Sequence, residues 1–107
     1  MNEKPRAMLS QPMNGVSDTE IRTVRDRAFA ELQKKGYRVV DTLFSGLPDD
    51  YPGEAYPNRP LFFLANSLLA MSSCEAVYFC KGWEQARGCC IEHEAAEAYG
   101  LDIIYEV

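Results

Sequence analysis

The spacing of apolar residues changes several times along the chain, and each change marks an element. Ala7-Met8-Leu9 is a short continuous run entering Ser10-Gln11-Pro12-Met13-Asn14-Gly15, a stretch of turn formers. This predicts a strand over about residues 6 to 10 with a loop at its carboxyl end. Ile21, Val24, Ala28 and Leu32 then recur at helical spacing, with Arg22, Arg25, Asp26 and Lys34 on the other side. Ser17 with Glu20 makes a capping box at the start of that helix, and Gly36 follows Lys35 as its stop. Tyr37 to Asp41 reads as a second strand.

From Thr42 to Pro60 the periodicity disappears among glycines and prolines. A long loop in a small domain is a candidate lid, and Phe44, Tyr51 and Tyr56 suit the Thr42–Asn58 segment to packing over a crevice. Asn58 is placed to cap a helix running to Met71. Leu61, Leu64, Leu68 and Met71 share one face of it, and Phe62 and Phe63 widen that face. So much apolar surface predicts burial on two sides, one of them a contact between subunits. Ala76-Val77-Tyr78-Phe79-Cys80 is a third strand. A loop and a helix through Ala98 follow, with Ile91, Ala95 and Ala98 as the expected core-facing stripe and Glu92, Ala96 and Tyr99 beside it. Leu101 to Tyr105 is the fourth strand.

Strands alternating with helices predict a parallel sheet with right-handed crossovers. The expected fold is a three-layer αβα sandwich, flavodoxin- or Rossmann-like, with a four-stranded parallel sheet in the order 2-1-3-4. The order reverses between strands one and three. The loops after them therefore face one crevice, where such sheets bind ligands. Ser10, Gln11, Pro12, Met13, Asn14 and Gly15 line one side, and Gly82, Trp83, Arg87 and Gly88 the other.

Composition narrows the ligand. The 107 residues make one domain, 1–107, and the net charge of −5 argues against a nucleic acid polymer as partner. No run approaches the ~20 apolar residues of a membrane span, and the N-terminus has no signal-peptide core, so a cytoplasmic protein is expected. Cys74, Cys80, Cys89 and Cys90 are then expected to be reduced. Cys90 and His93 stand a turn apart without a second ligand pair at zinc spacing, so no metal or cofactor is expected.

Glu92 carries the sharper chemistry. It is expected in the first turn or so of its helix, where the dipole and free amides favour an ionised carboxylate. Such a group at a crevice suits attack on an anomeric carbon, though acids are also common in first turns for stability alone. Trp83 can equally stack a nucleobase or shield the core as a rim residue.

Ser10 to Gly15, and Cys74 to Glu106, resemble a phage and bacterial family of small proteins of undetermined role. That family is similar to nucleoside 2-deoxyribosyltransferases. Its opening motif resembles Ser-Gly-Pro-Met-Thr-Gly, here Ser10 to Gly15. A second resembles Gly-Trp-Glu-x-Ser-x-Gly-x-x-x-Glu, here Gly82 to Glu92. The helix from Ile91 to Gly100 looks like that of the transferases and of the related deoxynucleotide N-glycosidases. Their helix glutamate is the nucleophile, which the resemblance places on Glu92, with the Ser10–Gly15 loop at the sugar or its 5′-phosphate. The resemblance thus implies cleavage or transfer at the N-glycosidic bond of a small nucleoside or nucleotide, by a homodimer or higher oligomer. Ala86 stands where the transferases carry a sugar-binding aspartate and the hydrolases a phosphate-binding serine. That leaves a non-catalytic nucleotide-binding module as the alternative.

Overall fold

A computed structural model describes residues 3–40 and 54–107. Four strands, β1 (Arg6–Ser10), β2 (Arg38–Val40), β3 (Ala76–Phe79) and β4 (Asp102–Tyr105), form one parallel sheet in the order β2-β1-β3-β4. Helix α1 (Asp18–Lys34) follows β1, α2 (Arg59–Met71) precedes β3, and α3 (Arg87–Ala98) joins β3 to β4. The strand order and the alternation of elements are those expected. The apolar runs start one residue before β2 and β4, because Tyr37 and Leu101 belong to the helix stops.

Those stops are specific. After α1, the Tyr37 N–H bonds to the Leu32 carbonyl and the Gly36 N–H to that of Gln33. After α3, Leu101 and Gly100 repeat the arrangement on Ala96 and Glu97. Both turns need a left-handed residue, and Gly36 (φ 93°) and Gly100 (φ 75°) supply it. At the other ends, Ser17 Oγ accepts the Glu20 N–H at 3.2 Å and Asn58 Oδ1 accepts the Leu61 N–H at 3.1 Å.

Alternation along the strands divides the core by face. Ala7, Ala76, Tyr78 and Cys80 pack with Ala28 and Leu32 of α1. Met8, Val77 and Phe79 pack on the opposite face with Met71 of α2 and Ala96 of α3. The sheet therefore lies between α1 on one side and α2 with α3 on the other. On α2, Met71 is buried and Leu68 packs beside it, whereas Leu61 and Leu69 are exposed. The lid expected over Thr42–Asn58 lies mostly outside the described residues, as do Phe44 and Tyr51. Within the described part, Tyr56 packs on Phe62 of α2 at 4.9 Å between ring centroids. Among the described residues no helix is long and apolar enough to cross a membrane.

Candidate functional site

The loops after β1 and β3 do meet. Gly82 has a left-handed backbone (φ 89°), and a Cβ there would lie 3.7 Å from Pro12 Cγ. Trp83 to Gln85 then form one 3-10 turn before α3. Gln11 staples the first loop to α1, its Nε2 donating to the Ile21 carbonyl at 2.8 Å. Met13, Asn14 and Gly15 are exposed beyond it, as is Arg87 across the way, while Gly88 is half-buried in the first turn of α3. No side chain caps that helix, since Ala86 holds the N-cap position with no side-chain hydrogen bond.

Glu92 departs from expectation in two ways. It lies in the second turn of α3, because the helix begins at Arg87. It is also buried, 7% exposed, rather than open to the crevice. The inward stripe of α3 is Cys89, Glu92 and Ala96, and Ile91 is 41% exposed. The expected Ile91-Ala95-Ala98 stripe was rotated from the true one. The apolar residues were followed, but the helix turns its carboxylate to the sheet.

There Glu92 meets Ser10, the last residue of β1. Ser10 Oγ donates to Glu92 Oε1 at 2.6 Å, and both residues are buried. Burial pushes the Glu92 carboxyl above its ordinary range, while hydrogen bonding from Ser10 and from Ser67 of α2 acts the other way. Hydroxyl donors stabilise the anion without neutralising it. Cys89 lies close enough to Ser10 to share its hydroxyl, but burial raises that thiol to about 11. It stays protonated at neutral pH and does not compete as a nucleophile.

Trp83 is half-buried and packed. Its ring lies 5.4 Å from Phe79 and stacks on His93 at 4.1 Å with 11° between planes. With Tyr105, Lys81, Glu84 and Glu106 it lines a hollow of about 520 Å³ at the carboxyl ends of β3 and β4. All four cysteines are free, and among the described residues no group of three or more His, Cys, Asp and Glu could hold a metal ion.

Sequence reasoning placed Ser10 in the binding loop but missed that it holds Glu92. It also passed over Ser67, His93 as a packing residue, and Tyr105. The signal for Ser67 was available, a hydroxyl inside the apolar run from Leu61 to Met71.

Fold and site together define a parallel α/β protein with a buried serine–glutamate pair at its topological switch point. The chain belongs to the family described as a domain of unknown function (DUF4406), whose model matches residues 5–105. No curated protein and no solved structure matches it.

Proposed function

We propose that the protein breaks the N-glycosidic bond of a 2′-deoxynucleoside or its 5′-monophosphate, with Glu92 as nucleophile. The observation that carries this reading is the buried Ser10–Glu92 hydrogen bond at the end of the central strand. Ser10 holds Oε1 and, with Ser67, fixes the side chain whose carboxylate would attack C1′. As the new C–O bond forms, the C1′–N bond breaks and the base departs with its electron pair, taking a proton from water. Water then releases the sugar from Glu92, or a second base displaces it in a transfer. The resemblance of the Gly82–Glu92 motif to that of deoxyribosyltransferases supports the same assignment.

A second reading, a nucleotide-binding module without turnover, is favoured by one feature. Ala86 presents only a methyl group at the N-cap of α3, where the resembled enzymes contact the sugar or phosphate. The two readings separate on incubation with 2′-deoxynucleosides and their 5′-monophosphates, measuring free base by chromatography. Wild type is expected to release base and Glu92→Gln to do so at least about 10³-fold more slowly. Equal release by both would remove Glu92 as nucleophile, and nucleotide binding without release would select the binding module.

Self-association belongs to the same proposal. It would use the outer face of α2, where Leu61 and Leu69 are 57% and 71% exposed. Light scattering at high micromolar concentration should give a multiple of the 12.1 kDa chain mass. A monomer mass would remove this part of the reading.

A further inference from the structure

The hollow between Trp83 and Tyr105 takes no part in the chemistry proposed above. It encloses about 520 Å³ at the carboxyl ends of β3 and β4, within the range of about 300–1,000 Å³ of small-molecule sites. Among the described residues neither Glu92 nor any residue from Ser10 to Gly15 lines it. In the sheet, β3 stands between β4 and the β1 strand that carries Ser10. The hollow and the Ser10–Glu92 pair are therefore separate places at one end of the sheet.

Its walls are fixed by contacts of their own. Tyr105 is 49% exposed, yet its hydroxyl lies 2.6 Å from His93 Nε2, which holds the ring in place. Trp83 stacks on His93 at 4.1 Å, and the Ala86 N–H closes the turn on the Trp83 carbonyl at 3.1 Å. The Cys90 thiol donates to the Glu84 carbonyl at 3.2 Å. Both carboxylate oxygens of Glu106 are engaged, one by the Lys81 N–H and the other by Arg27. A wall prepared in this way binds a guest with little further ordering.

The lining also selects the guest. The Trp83 and Tyr105 rings lie 25° from parallel, and Phe79 is tilted 52° and 38° to them. Rings so disposed suit a flat aromatic guest better than a round cation, which rings must enclose. Charge agrees. Lys81 and Glu84 are exposed and of opposite sign, and Glu106 is paired with Arg27 at 2.6 Å. The balance favours a neutral ring over a phosphate or a cation. At the rim stand one donor, the Lys81 ammonium, and one acceptor, the Glu84 carboxylate. The adenine ring carries the matching edge, an amino donor beside a ring-nitrogen acceptor. We propose that the hollow is a second ligand site, for the neutral adenine ring or a planar amino-heteroaromatic ring with the same edge. The ring stacks on Tyr105 beside Trp83, its amino group donates to Glu84, and a ring nitrogen accepts from Lys81. Its occupation does not depend on the reading of Glu92 given above.

Trp83 is the only tryptophan in the chain, so tryptophan fluorescence of the full chain reports on the hollow directly. Adenine should quench it saturably. Hypoxanthine, which carries an oxygen in place of the amino group, should bind roughly 2- to 12-fold more weakly. Tyr105→Ala should weaken adenine binding roughly 5- to 150-fold through lost stacking. Lys81→Ala combined with Glu84→Ala keeps the Lys81 N–H that holds Glu106, and should weaken binding over the same range through two lost hydrogen bonds. Glu92→Gln should bind adenine as wild type does. Absence of quenching at millimolar adenine overturns the proposal, and so does unchanged affinity in the Lys81 and Glu84 double variant. Loss of adenine binding in Glu92→Gln places the ring in the crevice and overturns it too, as does quenching by tetramethylammonium without quenching by adenine. Should Tyr105→Ala not fold, the double variant decides. Adenosine and its 5′-monophosphate, titrated in the same way, show whether the ring is taken free or on a sugar. None of these measurements needs turnover, so a failure here leaves the glycosidic reading standing, and absence of base release leaves the hollow standing.

Discussion

Glu92 and Glu106 sit at the same end of the sheet on opposite faces, and their surroundings are of opposite kinds. Glu106 follows β4 and is saturated. Its Oε2 accepts from Arg27 of α1 at 2.6 and 3.1 Å, and its Oε1 accepts the Lys81 N–H at 2.8 Å. Burial alone would raise its pKa, but the Lys81 amide and the Arg27 guanidinium outweigh it and hold the carboxyl below the ordinary range. Glu92 is buried among hydroxyls with no cation beside it among the described residues, and there burial wins. One carboxylate ties elements together at a gain in stability. The other is kept in the fold at a cost, which is the pattern of groups retained for chemistry.

The contrast extends to the faces behind them. Leu32 of α1 is fully buried against β1 and β3. Leu32→Ala should cost about 2–5 kcal/mol in urea unfolding, the largest effect anticipated, yet leave base release by the folded fraction unchanged. A loss of turnover in the folded fraction would mean that the α1 face is part of the site. On the other face the expectation is reversed. Ser10→Ala removes one donor to Glu92, and a hydrogen bond to a charged group contributes about 1.5–3 kcal/mol. Base release should fall roughly 10- to 150-fold, and the loss in urea unfolding should stay within about the same 1.5–3 kcal/mol. A Ser10→Ala rate equal to wild type would break the link between this pair and catalysis.

Much of this was legible in the sequence because it depends on period and punctuation. Ser17, Gly36, Asn58 and Gly100 announce helix ends, and β-rich runs between helices dictate the parallel order. Glu92 was legible as a candidate through its motif. Its burial was not, because periodicity assigns apolar residues inward, and α3 breaks that rule at the one position under suspicion. The Ser10–Glu92 bond spans 82 positions, and no local pattern reports a contact of that separation. The Trp83–His93–Tyr105 cluster was missed for a similar reason. Its members are individually ambiguous, and only the placement of β4 beside β3 brings Tyr105 to the other two.

The smallest effects anticipated are also the most direct test of the contrast, because the two carboxylates should respond to pH with opposite sign. The Glu106 carboxyl is lowered in the folded state, so it contributes stability above the ordinary glutamate range near ~4.3 and loses it as pH falls through the folded value. Glu106→Gln should therefore be less stable than wild type at pH 7, and the gap should close in acid. The Glu92 carboxyl is raised, so its contribution is present below that range and is lost as pH rises through the folded value. Glu92→Gln keeps the shape and an acceptor for Ser10 but cannot ionise. It should be more stable than wild type at pH 7, with the difference shrinking as the solution is acidified. Urea midpoints for the three proteins at pH 7 and at about pH 4 suffice. If Glu92→Gln is instead less stable at pH 7 and recovers in acid, Glu92 is a structural anion of the same kind as Glu106, and the asymmetry on which the catalytic reading rests is gone.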